Sequence, residues 1–266
     1  MEKVDMVKHR WSCRQNRRDF LITSASIIGG AGLAGCLGNQ AESSPKTTST
    51  KAKSSLQETS TKVTPTSQSN TIGTKDITIR STEGFTIKGT LYGDGKCGII
   101  LVPQINMDRE SWEKEATRLA KQGHLILAID ENPEECAASV LDAIRYLRQE
   151  QEVERVILIG ASSGGEAVLD ANAKATAGTI DVTITLSAAG GPQYAEQLQG
   201  RLLFVVSKGD EKQFVTVART LHQNATNPKQ LKLFSGDSHG QRLFNSSHAN
   251  ALRKQITQFT SSVCTK

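Results

Sequence analysis

From Asp76 onward the chain alternates short, continuously apolar runs with amphipathic stretches of helical length, and this alternation restricts the fold more than any other feature. The apolar runs are Gly98–Pro103 (Gly-Ile-Ile-Leu-Val-Pro), His124–Asp130, Val156–Gly160, Val182–Leu186, Leu202–Ser207 and Gln230–Phe234. Runs of this length without polar interruption suit strands buried on both faces. Between them, Asp108–Gln122, Pro133–Gln149, Gly164–Lys174, Lys212–Asn224 and Ser247–Ser262 carry helical spacing; Val140, Leu141, Ile144 and Leu147 share one side of the second. Ahead of them Asp76–Ser81 and Phe85–Tyr92 alternate apolar and polar residues around Glu83-Gly84, which reads as a hairpin. Right-handed crossovers turn this order into a three-layer α/β/α sandwich. Its central sheet should be mostly parallel, with antiparallel strands at the N-terminal side. One domain is expected over residues 76–266.

In an open parallel sheet, reactive residues belong just past the carboxyl ends of strands. Three such ends carry Ser, Asp and His, in that order. The first is Gly160-Ala161-Ser162-Ser163-Gly164-Gly165, directly behind an apolar strand and ahead of a helix. Gly-x-Ser-x-Gly in that setting is the nucleophile elbow, a tight turn that projects the Ser162 hydroxyl. The second is Gly209-Asp210, where a carboxylate can hold an imidazole in the correct tautomer; a simple helix-capping role is the alternative. The third is Gly236-Asp237-Ser238-His239-Gly240, a small polar loop that suits a general base. His9, His124, His222 and His248 read as leader, surface or packing residues, and Asp237 stands too near His239 in sequence to align with it. An oxyanion hole in such a site draws one backbone N–H from the residue after the nucleophile, Ser163. The other comes from the loop after Gly98–Pro103, with Ile105 first and Gln104 second.

Together these residues, with Asp108-Arg109-x-x-Trp112 on the first helix, resemble the α/β-hydrolase family, and most of all its small dienelactone-hydrolase-like branch. The resemblance implies the α/β-hydrolase fold over roughly residues 76–262. It also implies hydrolysis of an ester or related acyl substrate through an acyl-enzyme, with a small-molecule partner and no cofactor or metal. Ser162 stands where dienelactone hydrolases usually carry Cys, which favours a serine esterase over a lactone-specific enzyme. The short connection from Leu186 to Leu202 leaves little room for a cap domain, so a wide, shallow site is expected.

The N-terminus reads as an address. Asn16-Arg17-Arg18-Asp19-Phe20-Leu21 and the modest apolar run behind it resemble a twin-arginine signal peptide over residues 1–35, with Arg17 and Arg18 as the recognised pair. Leu33-Ala34-Gly35-Cys36 resembles a lipobox, with Cys36 as the lipidated residue. Export machinery, lipoprotein-processing enzymes and a membrane reached through a lipid anchor are the implied partners, and an extracytoplasmic location follows. Residues 36–75 are Ser/Thr-rich with almost nothing apolar, a disordered tether with a reach of about 35 Å.

The formal charge is +5, and residues 1–35 hold six basic against three acidic side chains, so the body is nearly neutral. That excludes the clustered basic face of a nucleic-acid binder. The five cysteines form no Cys-x-x-Cys pair, which argues against a zinc ribbon or a thioredoxin-type centre. Cys97, Cys136 and Cys264 are expected as buried free thiols, with at least one unpaired or intermolecular. Two other functions compete. A surface lipoprotein could keep the fold without catalysis. A short-chain dehydrogenase would use the same glycine turn, but it needs Gly at Glu166 and a downstream Tyr-x-x-x-Lys helix, whereas the pair here, Tyr92 and Lys96, lies upstream. Gly89 to Lys96 likewise fails as a P-loop, with Cys97 in place of Ser or Thr.

Overall fold

The structure is a computed structural model that describes residues 72–264. The expectations for residues 1–71, including Arg17, Arg18, Cys36 and nearly all of the tether, lie outside the described residues. Eight strands form one sheet: β1 (Thr74–Arg80), β2 (Thr86–Tyr92), β3 (Cys97–Val102), β4 (Leu125–Asp130), β5 (Arg155–Ala161), β6 (Val182–Leu186), β7 (Arg201–Ser207) and β8 (Lys229–Phe234). Their spatial order is β1-β2-β4-β3-β5-β6-β7-β8. β2 is antiparallel to both β1 and β4, and every pairing from β4 to β8 is parallel. The expected hairpin and mostly parallel sheet are both present, within one or two residues of the boundaries read from the sequence.

Five α-helices cover the faces: α1 (Glu113–Ala120), α2 (Cys136–Gln149), α3 (Ser163–Lys174), α4 (Lys212–Asn224) and α5 (Ala249–Cys264). Alternation along β7 explains how one strand serves both layers. Leu203 and Val205 join the cluster under α1 and α5, which also holds Trp112, Leu252, Ile256 and Phe259. Leu202, Phe204 and Val206 turn the other way, toward Phe214, Ala218 and Leu221 of α4. Each such aliphatic or aromatic side chain, fully withdrawn from water, stabilises the fold by about 1.5–3 kcal/mol.

Two helix starts differ from the sequence reading, each because a side chain holds the backbone first. Asp130 Oδ1 accepts the Arg109 N–H at 2.7 Å and Asp108 Oδ1 accepts that of Ser111 at 3.2 Å. The first turn, Arg109–Trp112, is therefore 3-10, and α1 begins only at Glu113. Asn132 Oδ1 accepts the Glu134 N–H at 2.9 Å in an Asx turn, which delays α2 to Cys136. Two further 3-10 turns, Pro192–Gln197 and Gly240–Asn245, were not anticipated.

The cysteine expectation is overturned. Cys97, the first residue of β3, and Cys264, the last of α5, form a disulfide with a Cα–Cα distance of 5.7 Å across 167 residues of sequence. Cys136 is not a free thiol either. Tertiary folding brings the two half-cystines together, and no local spacing announces the pair.

Candidate active site

β5 is hydrogen-bonded on both edges, so its last residue is held firmly where the chain turns into α3. Ser162 sits in that turn at φ 48°, ψ −114°, a conformation that L-residues with side chains rarely adopt. The surroundings over-determine it. The Ser162 N–H donates to the Leu186 carbonyl at 2.9 Å, and the Ser162 carbonyl accepts from Ala189 at 3.0 Å and Glu166 at 3.1 Å. The flanking glycines are needed for close approach. A Cβ on Gly160 would strike the Gly164 carbonyl, and one on Gly164 would strike the Val102 and Pro103 carbonyls.

Three strand ends converge on this turn. His239 Nε2 lies 2.9 Å from Ser162 Oγ, and His239 Nδ1 lies 3.1 and 3.0 Å from the two oxygens of Asp210. Ser162 is 3% exposed and Asp210 8%, so this chain of polar groups runs through an interior where such contacts are strong. Asp210 Oδ1 also accepts the Glu211 N–H at 2.8 Å, which fixes the carboxylate. Glu211, not Asp210, is the N-cap of α4 and no side chain caps that helix, so the helix-capping alternative does not hold; both Asp210 oxygens face the imidazole. Asp237 is exposed, away from that role. The loop that carries His239 is tied down by its neighbours: Ser207 Oγ donates to the Ser238 carbonyl at 2.7 Å and the Gly240 N–H donates to Ser187 Oγ at 3.2 Å. Phe214 packs against the imidazole with ring centroids 4.2 Å apart.

In the loop after β3, the Gln104 and Ile105 N–H groups are bonded differently. Gln241 Oε1 accepts the Gln104 N–H at 3.0 Å, and Gln104 Oε1 accepts the Gln241 N–H at 2.8 Å. Gln241 Nε2 donates to Ser111 Oγ at 2.8 Å. The Gln104 N–H is thus occupied, whereas that of Ile105 has no acceptor among the described residues. Ser163 opens α3, and the N–H of a first helical residue has no partner within its helix. Gln241 went unnoticed in the sequence; a Gln two residues after a candidate base carries no signal by itself. Of the other histidines, His248 bonds Ser235 Oγ at 2.5 Å and stacks on Phe234, and His222 lies on α4. Tyr92 and Lys96 share no helix: Tyr92 is buried at the end of β2, and Lys96 pairs with Glu152 at 3.4 Å.

No protein-family model and no curated protein matches the chain in sequence. Solved structures do match in shape. Dienelactone hydrolase from Anabaena variabilis superposes with a TM-score of 0.62 at 18% identity, covering 71% of this chain and 96% of its own. An esterase from Pyrococcus furiosus gives 0.61 at 13% identity, covering 72% and 93%. A predicted CIB-like hydrolase from Thermoplasma acidophilum gives 0.60 at 14%, covering 71% and 99%. Near-complete coverage of these three chains, the strand order and the strand-to-helix turn at Ser162 together identify the architecture of residues 72–264 as the α/β-hydrolase fold.

Proposed function

We propose that the chain is a serine hydrolase that cleaves a carboxylic ester, or a related acyl substrate, through an acyl-enzyme. One observation carries the reading: Ser162 Oγ, His239 and Asp210 form a continuous hydrogen-bonded relay at 2.9 Å and 3.0–3.1 Å. In this mechanism Ser162 Oγ attacks the acyl carbon while His239 Nε2 takes its proton. Asp210 holds the Nδ1–H tautomer and stabilises the imidazolium. The Ser163 and Ile105 N–H groups donate to the oxyanion of the tetrahedral intermediate, a contribution worth about 2.7–4 kcal/mol per donor in comparable sites. Collapse expels the alcohol, which leaves with the proton from His239. Water, deprotonated by the same imidazole, then releases the acid and restores Ser162.

A fluorophosphonate probe tests this directly. It should label the folded protein once, at Ser162, and a series of p-nitrophenyl esters of increasing chain length should be hydrolysed with a preference that defines the acyl group. A folded protein that takes no label and cleaves none of the esters would favour a non-catalytic role.

The N-terminal motifs support a further proposal, that this hydrolase is exported by the twin-arginine route and held at a membrane surface by lipid on Cys36. Cys36→Ala should release it from membranes or leave the precursor unprocessed, and Lys at both Arg17 and Arg18 should block export. Unchanged membrane association, or normal export, rejects the respective half.

A further inference from the structure

We propose that Cys97, Cys264 and His124, when the cystine is reduced, form a binding site for a thiophilic divalent cation of the zinc class. The three residues lie at the amino ends of the parallel strands, opposite the end that carries Ser162. Pairing of Gly98 with Leu125 sets their predecessors, Cys97 and His124, side by side, and α5 brings Cys264 over them from the end of the chain's last helix. One ligand atom from each residue, two sulfurs and a ring nitrogen, lies within 4.8 Å of both others. A tetrahedral zinc ion with Zn–S bonds of about 2.3 Å requires its sulfurs about 3.8 Å apart. A Cα–Cα distance of 5.7 Å lets two cysteines span that gap by side-chain rotation.

The second observation is His124 itself. It is 6% exposed, and its Nδ1 is a buried polar atom with no hydrogen-bond partner among the described residues. An orphaned imidazole nitrogen in a core is uncommon. A ligand role gives that nitrogen a partner. A polar cavity lined by Lys96, Glu154 and Arg155 opens onto both cysteines. It gives an ion a way in and leaves the fourth coordination position to water.

The chemistry balances with a thiol as reductant. Two equivalents of R–SH deliver two electrons and two protons to the Cys97–Cys264 bond, giving two cysteine thiols and R–S–S–R. The cation then displaces both thiol protons, and His124 adds its lone pair without a proton change. Oxidation by R–S–S–R reverses the sequence and expels the ion, so cystine and metal site are mutually exclusive states of one locus.

The test uses the full chain. After reduction with a phosphine, incubation with zinc and desalting, the protein should retain one equivalent of zinc, and the oxidised protein none. His124→Asn should still form the cystine when oxidised, by resistance to alkylation. When reduced, it should bind zinc on the order of a hundredfold more weakly. Cys136→Ser should bind zinc as the parent does. Circular dichroism checks folding, and should His124→Asn fail to fold, Cys264→Ser replaces it, with loss of zinc expected. Reduced parent protein without zinc overturns the proposal, as does zinc held equally by His124→Asn or lost from Cys136→Ser. None of these readings depends on Ser162 or on hydrolysis.

Discussion

The two ends of the parallel sheet each hold a histidine among residues drawn from distant parts of the chain, yet they are built differently. At the carboxyl end His239 has both ring nitrogens engaged, by Ser162 and by Asp210, and its loop is fixed by Ser187 and Ser207. At the amino end His124 has an unpartnered nitrogen beside a covalent bond. In the first arrangement every ring nitrogen has a partner. The second is closed while the cystine stands and opens only by a change of oxidation state. Completeness of hydrogen bonding thus separates the site proposed for turnover from the one proposed to take an ion.

Substitutions can break that contrast, and the catalytic end should respond most. Ser162→Ala and His239→Ala should each lower kcat for ester hydrolysis by on the order of 10⁴-fold or more, and the double variant should be no worse than either, measured by steady-state kinetics. Asp210→Asn should cost less than either. Next comes Gln241→Ala, which removes the bond that orients the Gln104–Ile105 loop: kcat should fall by roughly 10- to 100-fold with KM little changed, because the lost geometry serves the oxyanion rather than the ground state. An equal rise in KM would mean that Gln241 shapes the substrate pocket instead. At the amino end, Cys264→Ser should lower unfolding free energy by about 2–4 kcal/mol in denaturant melts of the oxidised protein, while kcat per folded molecule stays the same. Smallest of all, Ser163→Ala should leave kcat within a few-fold of the parent, since the donor is its main-chain N–H and its Oγ has no hydrogen-bond partner. A large loss there would shift the nucleophile by one residue.

The same two ends differ in how far the sequence discloses them. Ser162, Asp210 and His239 each follow an apolar run, and glycines crowd around each because the turns are tight. Strand, turn and residue type point to the same place, so these three residues, which lie within hydrogen-bond distance in the fold, can be grouped from the sequence. The amino end has no such punctuation. Cys97 and His124 become neighbours through a strand register, and Cys264 arrives on a helix 167 residues later, so nothing local marks them as a group. Gln104 and Gln241 fall between these cases. The sequence already ranks Ile105 ahead of Gln104, but that the Gln104 N–H is taken by a side chain 137 residues away has no local signal. Helix starts at Arg109 and Cys136 escaped for a similar reason, since Asp130 and Asn132 capture backbone groups that periodicity assigns to helix.

The disulfide ties the last described residue, Cys264, to the start of β3. β3 is six residues long, about 20 Å at the usual strand rise, and the Ser162–His239–Asp210 cluster lies toward its far end. A graft made just past Cys264, to a bead, an electrode or a display scaffold, is therefore anchored on the side of the sheet away from Ser162. Protein immobilised there presents the Ser162 face outward, and the attachment point is cross-linked to the core strand.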